Sequence, residues 1–412
     1  MKSNYKRLGN YIEAVNRRNI NCEITDLRGL SLTKEFRKST SNIVGTDMST
    51  YKIMHKYDFA ANFMGLGVLV DKAAIVLKTD EVPNIVSGAY PVFKVQDENE
   101  LHPEYLMMWL IRSEFDRFCV FKSDRGIRGG FDWNDLLETE LPIPTINKQR
   151  EIVKEYNVIQ NRIALNQQLI QKLEETAQTI YKQWFVDFEF PDENGKPYKS
   201  NGGEMVKSEL GDIPKSWEVK QISSLCQITS SKRIFESEYK KEGVPFYRAG
   251  EIKQKKEGIP IKELLYITED KFLKISKSFG HPLAGDILLT AVGSLLGDSY
   301  LVENETFYFK DGNVIWFRRF VTEGCNLYLY EYLQSESFRE FLDEIKIGSG
   351  QSAITIQSLN EKRIIKPNDN FLKKYNKIFS PINNQISLYK KQNSKLYELK
   401  DLLLSKLATI EN

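Results

Sequence analysis

The chain has 412 residues, of which 41% are hydrophobic and 28% are charged, and its formal net charge is +2. This length is enough for two or three domains with cores of their own, and the composition is that of an ordinary globular protein. No apolar run approaches the roughly 20 residues that cross a bilayer, and the opening MKSNYKRLGNYIEAV lacks the apolar stretch of a signal peptide. We therefore expect a cytoplasmic protein that does not span a membrane.

Residues 1–145 are predicted to form a mixed α+β domain. The apolar residues between positions 8 and 15 have helical spacing, and a helix is predicted over residues 102–115, where Pro103 suits a first turn. Strand-like runs rich in β-branched residues stand at 68–70, 74–77 and 92–95. A basic, glycine-rich loop, SDRGIRGG, follows at 123–130, and its glycines would let the backbone approach a ligand closely.

A long helix is predicted over residues 146–190, because from Gln149 to Trp184 the sequence has neither proline nor glycine. Its apolar positions recur in steps of four and three, the heptad pattern of a helix that packs lengthwise on another helix. Asn166 interrupts this apolar seam, and a lone polar residue there often fixes the register. The helix would be roughly 50 Å long, which suits a spacer. Its predicted coiled-coil core is Ile159, Ile163, Asn166, Ile170 and Leu173.

The same order of elements returns in the second half of the chain. A turn-rich linker is predicted at 191–216, a second mixed domain at 217–367 and a second long helix at 368–412. Within the second domain we predict a strand and turn at 244–250, strands at 285–290 and 314–317, a helix at 327–341 and a glycine-rich loop at 348–352.

The second long helix repeats the seam of the first. Its predicted coiled-coil core is Ile378, Ile382, Leu396 and Leu399. Aligned on the first helix, the second contains a four-residue insertion, a stutter that changes supercoiling without breaking the helix. Pro381 lies inside the pattern, so we expect a kink or a delayed start there.

The order of domain, long helix, domain and long helix indicates a duplication of nearly the whole chain. The expected fold class is α+β, with two similar mixed α/β domains joined by two long antiparallel coiled-coil helices in a pseudo-twofold arrangement. Such helices would hold the two domains at opposite ends.

Catalytic patterns are almost absent from the sequence. There is no Walker loop, no GxGxxG turn after a strand, and no Asn-Pro-Pro-aromatic or Asp-Pro-Pro-aromatic tetrapeptide of the amino-methyltransferase kind. The cysteines and histidines are scattered without a CxxC pair, so we predict neither a metal site, a disulfide framework nor a Ser-His-Asp site. Asp192 with Glu218 and Lys220 loosely matches a metal-nuclease pattern, although such spacing often arises by chance. Recognition or scaffolding is therefore the predicted role.

Several segments carry a family resemblance. LPIPTINKQREI at 141–152, LEETA at 173–177 and KQWFVDF at 182–188 resemble the central conserved region of Type I restriction–modification specificity subunits. LGDIPKSW at 210–217 and LLLSKL at 402–407 are also similar to that family, so the resemblance covers almost the full chain. One departure is that the Pro and Gln-Arg-Glu-Ile start of the first helix has no counterpart in the second.

The resemblance implies a DNA-recognition subunit that reads a bipartite, asymmetric target with one domain on each half. It implies a chain that is not catalytic and binds no cofactor itself. Partner subunits would use S-adenosylmethionine, ATP and magnesium for adenine-N6 methylation and ATP-dependent cleavage. The implied partners are double-stranded DNA, two methylation subunits and restriction subunits, and the long helices would act as a ruler that binds the methylation subunits.

A reader of DNA needs cations on phosphates for affinity, and Arg, Lys, Gln or Asn side chains on base edges for sequence choice. The local basic excess favours such a role: residues 1–56 contain eleven Lys and Arg against five Asp and Glu. The candidates in the first domain are Arg17, Arg18, Lys34, Arg37, Lys38, Arg125 and Arg128. Those in the second domain are Lys232, Arg233, Arg248, Lys253, Lys255, Lys256 and Gln351.

Three alternatives stay open at this point. The recognition chain of a fused restriction–methylation (Type IIB-like) system would share the architecture and differ in its partner. A coiled-coil scaffold without DNA would use the same helices, but it would have no need of glycine-rich loops at matching places in both domains. A nuclease built on Asp192 and Glu218 would show metal-dependent cleavage by the isolated chain.

Overall fold

The computed structural model describes residues 5–39, 46–124, 130–348 and 353–410. It divides into two compact units, residues 1–162 with 398–412 and residues 163–397. Each unit contains one globular domain and one segment of each of two long helices. None of the described helices is long and apolar enough to cross a membrane.

The first unit combines short strands with helices that follow them. Its described strands are β1 (Tyr5–Arg7), β2 (Ile12–Ala14), β3 (Arg28–Leu30), β4 (Phe36–Lys38), β5 (Lys52–Met54), β6 (Asp58–Asn62), β7 (Ala74–Leu77), β8 (Asn84–Val86), β9 (Val92–Val95) and β10 (Glu140–Pro142). Its helices are α1 (Pro103–Leu110), α2 (Ser113–Lys122), α3 (Trp133–Glu138) and the first part of the long α4 (Ile146–Tyr181).

A four-stranded antiparallel sheet in the order β2-β9-β6-β7 forms the centre of the first domain. Phe59 on β6 and Phe93 on β9 are Cα partners, and their buried rings stack with centroids 4.9 Å apart. Helix α1 adds Tyr105 to the same core cluster. The helix starts after His102, whose ring accepts a hydrogen bond from the backbone N–H of Glu104 at 3.3 Å, so one of its unpaired terminal donors is satisfied.

Two of the three strands predicted in the first domain are confirmed, as β7 and β9. The prediction of a strand at 68–70 is wrong. Gly65 and Gly67 have positive φ angles, and the backbone N–H groups of residues 68 to 70 donate to the Gly65 carbonyl. The segment is therefore a tight turn, which glycine accommodates at little steric cost.

The helical pattern at positions 8–15 does not produce an α-helix. A 3-10 turn at Leu8–Asn10 buries Leu8, and β2 then buries Ile12. The helix predicted over 102–115 is interrupted, because Arg112 has extended backbone angles, φ −69° and ψ 144°, and separates α1 from α2. Burial, rather than the spacing of apolar residues, decides these short elements.

The second unit is again built from short strands and helices. Among its described elements it has two helices more than the first unit. Its strands are β11 (Met205–Ser208), β12 (Gly211–Pro214), β13 (Glu218–Gln221), β14 (Gln227–Thr229), β15 (Val244–Tyr247), β16 (Leu265–Ile267), β17 (Ile287–Thr290), β18 (Ser299–Leu301), β19 (Tyr308–Phe309), β20 (Val314–Arg318) and β21 (Arg363–Lys366). Its helices are α5 (Ala249–Glu257), α6 (Glu269–Ser278), α7 (Cys325–Tyr332), α8 (Glu336–Gly348), α9 (Ile356–Glu361) and the greater part of the long α10 (Asp369–Lys406).

The strands predicted at 285–290 and 314–317 are confirmed as β17 and β20. The expected turn after β15 is instead the start of α5, and the helix predicted over 327–341 is divided between α7 and α8. The stretch predicted as a linker carries the antiparallel hairpin of β11 and β12, which buries Ile213 in the core of this unit.

The duplication is visible in the strand order. The central sheet of the second domain has the order β14-β20-β17-β18, all antiparallel, which repeats β2-β9-β6-β7 of the first. The pairing of β1 with β10 is likewise repeated by β13 with β21. Helices α1, α2 and α3 correspond in order to α7, α8 and α9. The two domains are therefore copies of one α+β fold, as the sequence predicts.

Buried aspartates fix the residue-by-residue match between the two domains. Oδ2 of Asp58 accepts a hydrogen bond from the N–H of His55 at 2.6 Å, and Oδ2 of Asp286 accepts one from the N–H of Leu283 at 2.9 Å. Both aspartates stand three residues after their donor, where β6 and β17 begin. Asp58 and Asp286 are therefore equivalent.

The strand registers extend this match to the edge of each sheet. They pair Phe59 with Phe93 and Phe93 with Ala14 in the first domain, and Ile287 with Phe317 and Phe317 with Ile228 in the second. Ala14 is therefore equivalent to Ile228. Counting on from these residues, Arg17 corresponds to Ser231 and Arg18 to Lys232.

The two long helices run antiparallel within each unit. In the first unit Lys400 on α10 donates to Gln160 on α4 at 3.2 Å, and Leu404 and Leu407 join the core cluster that contains Ile152. In the second unit Asn166 donates to Asn393 at 2.9 Å, and Lys390 pairs with Glu174 at 3.2 Å. Residue numbers rise along α4 as they fall along α10, which is the antiparallel sense that the sequence predicts.

The buried face of α4 contains Ile159, Ile163, Asn166 and Ile170, and Leu173 is half-buried. On α10 the predicted core needs correction. Ile382 and Leu396 are half-buried, but Ile378 is 42% exposed and Leu399 is 49% exposed.

The seam of α10 lies one residue further along than predicted. After Tyr375 the buried residues Phe379, Ile386 and Asn393 follow one another at heptad spacing, and Leu404 is buried near the end of the helix. The reason is aromatic packing, since the rings of Tyr375 and Phe379 stack with centroids 4.0 Å apart. The helix already starts at Asp369 and runs through Pro381, so the expectation of a delayed start is wrong.

An aromatic cluster joins the second domain to the helices of its own unit. The Phe185 ring lies 4.7 Å from Tyr375, and the Phe371 ring lies 4.6 Å from Phe190 and 5.1 Å from Trp217. Each of these side chains is buried. The cluster therefore fixes the end of α4 and the start of α10 against the domain.

A buried carboxyl group lies at the same junction. Glu331 on α7 is 2% exposed, and its side chain accepts a hydrogen bond from Gln178 on α4 at 2.6 Å. Gln178 also donates to the backbone carbonyl of Glu331 at 3.1 Å. Burial, with a smaller effect of the nearby Glu174, raises the pKa of Glu331 to about 8.

We expect Glu331→Gln to stabilise the protein in a pH-dependent way. The pKa of Glu331 is about 8 in the folded state against 4.5 as the ordinary value, so wild-type stability falls as the pH rises through this window. The advantage of the variant should widen across the window, level off above it, and reach a few kcal/mol at most, at about 1.4 kcal/mol per pKa unit. Thermal unfolding midpoints over this pH range measure it, and a pH-independent difference would contradict the assignment.

Candidate nucleic-acid interface

Arg17 and Arg18 lie just beyond β2 and differ in their partners. Arg17 forms an ion pair with Asp58, which is 2% exposed. Arg18 is exposed and donates to the backbone carbonyl of Thr50, and no acidic side chain of the described residues forms an ion pair with it. Arg17 is therefore held inside the fold by an ion pair, whereas the described structure gives the charge of Arg18 no acidic partner.

Lys52 is a second cation beside Arg18, and sequence reasoning missed it. The two residues form an isolated antiparallel bridge, and the Lys52 ammonium donates to the Tyr90 carbonyl at 2.6 Å. Burial and the charge of Arg18 lower the pKa of Lys52. A Cβ at Gly88 would come within 2.8 Å of the Arg18 guanidinium, so this glycine leaves room for the charge. Two neighbouring cations that have no acidic partner among the described residues favour an anionic ligand.

Lys34 is not available to a partner, which corrects its place among the candidates. Its side chain is 6% exposed, pairs with Asp116 at 2.7 Å and donates to the Leu110 carbonyl at 2.6 Å. Burial lowers the pKa of Lys34, although the hydrogen bond to Asp116 opposes the shift. Lys34 is a structural residue that ties the turn after β3 to α1 and α2.

Two further candidates of the first domain lie on a strand. Arg37 and Lys38 are exposed on β4, and Nε of Arg37 donates to the Leu30 carbonyl at 3.2 Å. Neither forms an ion pair with any acidic side chain that the structure describes. Arg125 and Arg128 lie outside the described residues, as does Gln351 of the second domain.

Lys232 occupies in the second domain the place that Arg18 occupies in the first. It is exposed, its ammonium lies 4.5 Å from the centroid of the Phe279 ring, and its backbone N–H donates to the Tyr308 hydroxyl at 2.8 Å. Among the described residues it has no acidic partner. Arg18 and Lys232 are therefore exposed cations at equivalent ends of the edge strands, and neither forms an ion pair among the described residues.

The five other cationic candidates of the second domain are all ion-paired. The pairs are Arg233 with Asp311 at 2.9 Å, Arg248 with Glu251 at 2.5 Å, Lys253 with Glu257 at 3.8 Å, Lys255 with Glu305 at 2.7 Å and Lys256 with Asp298 at 2.9 Å. A carboxylate beside each cation repels phosphate and neutralises the charge that counterion release requires. These five residues are therefore weaker candidates than Lys232.

The acidic pair that resembles a nuclease pattern serves local structure. Asp192 accepts hydrogen bonds from the N–H groups of Asn194 and Lys196 at 2.8 and 2.9 Å, which holds a turn. Glu218 pairs with Lys220 at 2.7 Å. Within the described residues no group of three or more His, Cys, Asp or Glu side chains is placed to hold a metal ion.

The described chain thus has a duplicated α+β domain on two long helices, with an exposed cation at the equivalent place in each copy. The sequence matches the family model described as Type I restriction modification DNA specificity domain over residues 214–398. The chain therefore carries a domain of Type I restriction–modification specificity subunits, and the curated relatives that it matches are specificity subunits of that kind.

Two named relatives match the chain over more of its length than the family model does. The chain is 25% identical over 326 residues to a putative type I restriction enzyme specificity subunit of Haemophilus influenzae, which covers 76% of this chain and 75% of the relative. It is 26% identical over 292 residues to the MjaIX specificity subunit of Methanocaldococcus jannaschii, which covers 66% of this chain and 60% of that relative. These relatives favour neither the scaffold nor the fused-system alternative.

A solved structure shares the fold. The Type-I restriction-modification system S subunit from M. genitalium matches with a TM-score of 0.56 at 15% sequence identity. The match covers 99% of this chain and 96% of that one. At this identity the likeness concerns the fold, and it extends over the whole arrangement of domains and helices along the chain.

We expect Lys34→Met to destabilise the first domain by about 3–5 kcal/mol, because it leaves Asp116 buried without its cation. Asp116 keeps only the hydrogen bond from the Ala73 N–H at 3.1 Å. Lys38→Met is the matched control, since Lys38 is exposed and unpaired among the described residues, and it should cost under about 0.5 kcal/mol. Denaturant unfolding measures both variants, and equal stability of the two would show that Lys34 has no structural role.

Proposed function

We propose that this chain is the DNA sequence-recognition subunit of a Type I restriction–modification complex and reads a bipartite, asymmetric target. The observation that carries the proposal is the equivalence of Arg18 and Lys232. Both follow the edge strand of a central sheet, both are exposed, and neither has an acidic partner in the described chain.

Cations of this kind are what contact with a DNA backbone requires. Each phosphate neutralised by a free Lys or Arg releases a counterion, which supplies much of the binding free energy. An arginine already paired with a carboxylate, such as Arg17 with Asp58, would have to give up that pair first. A cation stands at the equivalent place in both domains. This fits contact with the phosphate backbone, which is the feature that both half-sites share.

The surroundings of the two cations differ, which supports an asymmetric target. Arg18 lies beside Lys52 and Gly88, whereas Lys232 lies over the Phe279 ring. Different neighbours present different donors, acceptors and apolar surface to base edges. We therefore expect the two half-sites to have different sequences.

An apolar groove on the helices of the first unit supports a protein partner. It has a volume of about 580 Å³ and is lined by Val158, Leu399 and Leu402, with Lys154 and Lys406 among its polar residues. Val158 is 62% exposed and Leu402 is 51% exposed, which is unusual for apolar residues along a helix seam. We propose that a methylation subunit packs here, and that restriction subunits join the assembly through it.

The chemistry would then belong to the partner subunits. We propose that they use S-adenosylmethionine, ATP and magnesium for adenine-N6 methylation and DNA cleavage, and that this chain binds none of these. Because chromosomal and invading DNA are read in the same compartment, the cytoplasm is the proposed site of action.

The first experiment is to map N6-methyladenine by single-molecule sequencing in a host that lacks adenine methylation. The chain is expressed with its cognate methylation subunit, and the control expresses that subunit alone. We expect a bipartite, asymmetric motif with a fixed gap that disappears in the control. A continuous motif, or methylation that persists without this chain, would contradict the proposal.

The second experiment tests the two cations on a duplex that carries the mapped motif. Arg18→Gln and Lys232→Gln should each lower the slope of log affinity against log salt by about 0.9, the value for one phosphate contact. Lys207→Gln, at an exposed lysine of β11, is the control and should leave the slope unchanged. Unchanged slopes in both edge variants, with thermal midpoints like that of the wild type, would remove these residues from the interface.

A further inference from the structure

Asp58 and Asp286 share one structural setting but not one counterion. In both, the backbone N–H of the aspartate donates at 3.0 Å to the carbonyl of the residue whose N–H its carboxylate accepts. Their own carbonyls accept from the next strand, Asp58 from Lys78 at 2.9 Å and Asp286 from Val302 at 2.8 Å. Both are buried, at 2% and 7% exposure. The two aspartates therefore have the same backbone hydrogen bonds and similar burial, and they can be compared by the cations that lie beside them.

In the first domain the carboxylate is neutralised by Arg17. The equivalent residue in the second domain is Ser231, whose hydroxyl donates to the Phe309 carbonyl at 2.7 Å. Asp286 accepts a second hydrogen bond from the indole N–H of Trp316 at 2.9 Å, but the described chain supplies no ion-pair partner for it. Burial raises the pKa of Asp286, as expected for a carboxyl group without a bonded cation.

Arg318 is the nearby cation that could replace Arg17, and its bonds point elsewhere. Its Nε donates to Gln227 at 3.0 Å and its Nη1 donates to the Phe279 carbonyl at 2.7 Å. The guanidinium lies 4.6 Å from the centroid of the Phe279 ring and 4.2 Å from that of the Trp316 ring. Arg318 thus lies near Asp286 without pairing with it.

A cavity of about 460 Å³ opens beside Asp286. The charged and titratable side chains that line it are Asp286, His281, Arg318, Arg319 and Glu323. Glu323 is already bonded, since it accepts from Asn376 at 2.8 Å. Arg319 has a φ of +53°, a left-handed backbone conformation that costs about 1 kcal/mol or more outside glycine and is often retained at binding sites. Asp286 is the buried carboxylate of this lining, and no cation of the described chain forms an ion pair with it.

We propose that this cavity binds a guanidinium group, which pairs with Asp286 as Arg17 pairs with Asp58. The first domain shows the chemistry that satisfies this carboxylate. The second domain has the carboxylate, a serine at the place of the arginine, and a cavity beside the carboxylate. A planar guanidinium donates two parallel N–H bonds to a carboxylate, which an ammonium does not. The guanidinium is that of a small molecule or of an arginine side chain of a bound protein.

Calorimetric titration of the full chain with n-butylguanidinium tests the proposal. We expect one saturable site in the wild type and at least tenfold weaker binding in Asp286→Asn, which keeps an oxygen for the Leu283 and Trp316 donors. Arg17→Ala should gain a second site, because it empties the equivalent place in the first domain. Thermal midpoints, measured beside each titration, show that every variant is folded.

Three outcomes would overturn the assignment. They are the absence of saturable binding to the wild type, equal binding to Asp286→Asn, and equal affinity for n-butylammonium, which has the charge without the planar fork. Ser231→Arg offers a fourth test, since an arginine supplied by the chain itself should fill the site and abolish binding of the probe.

The source of the guanidinium follows from one comparison. The titration is repeated on the chain purified with its partner subunits. A site that still binds the probe there takes a small molecule, whereas a site that binds only in the isolated chain is occupied by a partner's arginine. Because the titration uses no DNA, the inference can fail or hold independently of the proposed DNA recognition.

Discussion

The ends of the long helices are buried inside the domain cores, and the rest of the structure depends on this burial. In the first unit Ile152 and Val153 of α4 share a core cluster with Leu404 and Leu407 at the end of α10. In the second unit Trp184 and Phe371 share one with the domain that follows α4. At about 25 cal/mol per Å² of apolar surface removed from water, these contacts outweigh any intrinsic helix propensity. Neither helix can leave its partner without opening a core.

A polar contact inside the apolar seam defines how the helices align. Asn166 donates to Asn393 at 2.9 Å, while Oδ1 of Asn166 and Nδ2 of Asn393 have no hydrogen-bond partner among the described residues. Each unsatisfied group costs about 1–3 kcal/mol, so the pair reduces stability relative to an apolar contact. What it contributes is register, because a slip of either helix would bury two amides with no partner at all.

The sequence predicts the long elements and the duplication well, because these rest on periodic patterns that extend over many residues. Helix α4 has an almost continuous heptad seam, and its start, its direction and Asn166 in its buried face all follow from it. The sequence predicts less well which residues of α10 are buried. Ile378 and Phe379 are adjacent apolar residues, and packing on Tyr375 buries Phe379.

Charge partners could not be predicted in the same way, because they depend on contacts between residues distant in sequence. Lys34 and Lys38 look alike in the sequence. In the structure Lys34 is buried in an ion pair with Asp116, whereas no acidic side chain of the described residues pairs with Lys38. No pattern in the sequence marks Lys52 as a binding candidate, because only the fold brings it beside Arg18. The difference between Arg17 and Arg18, adjacent residues with different bonding partners, is likewise a property of the fold.

The pairing of β1 with β10, and of β13 with β21, has a consequence for how such chains diversify. The first and last strands of each domain lie side by side, and the last strand leads into a long helix. A domain therefore leaves the chain path and returns to it at nearly one point, as inserted domains do. Recombination that exchanges everything between these strands would replace one recognition surface and leave the length of the helices unchanged. On the proposed function, such an exchange gives the chain a new specificity in a single genetic event and leaves its long helices as they were.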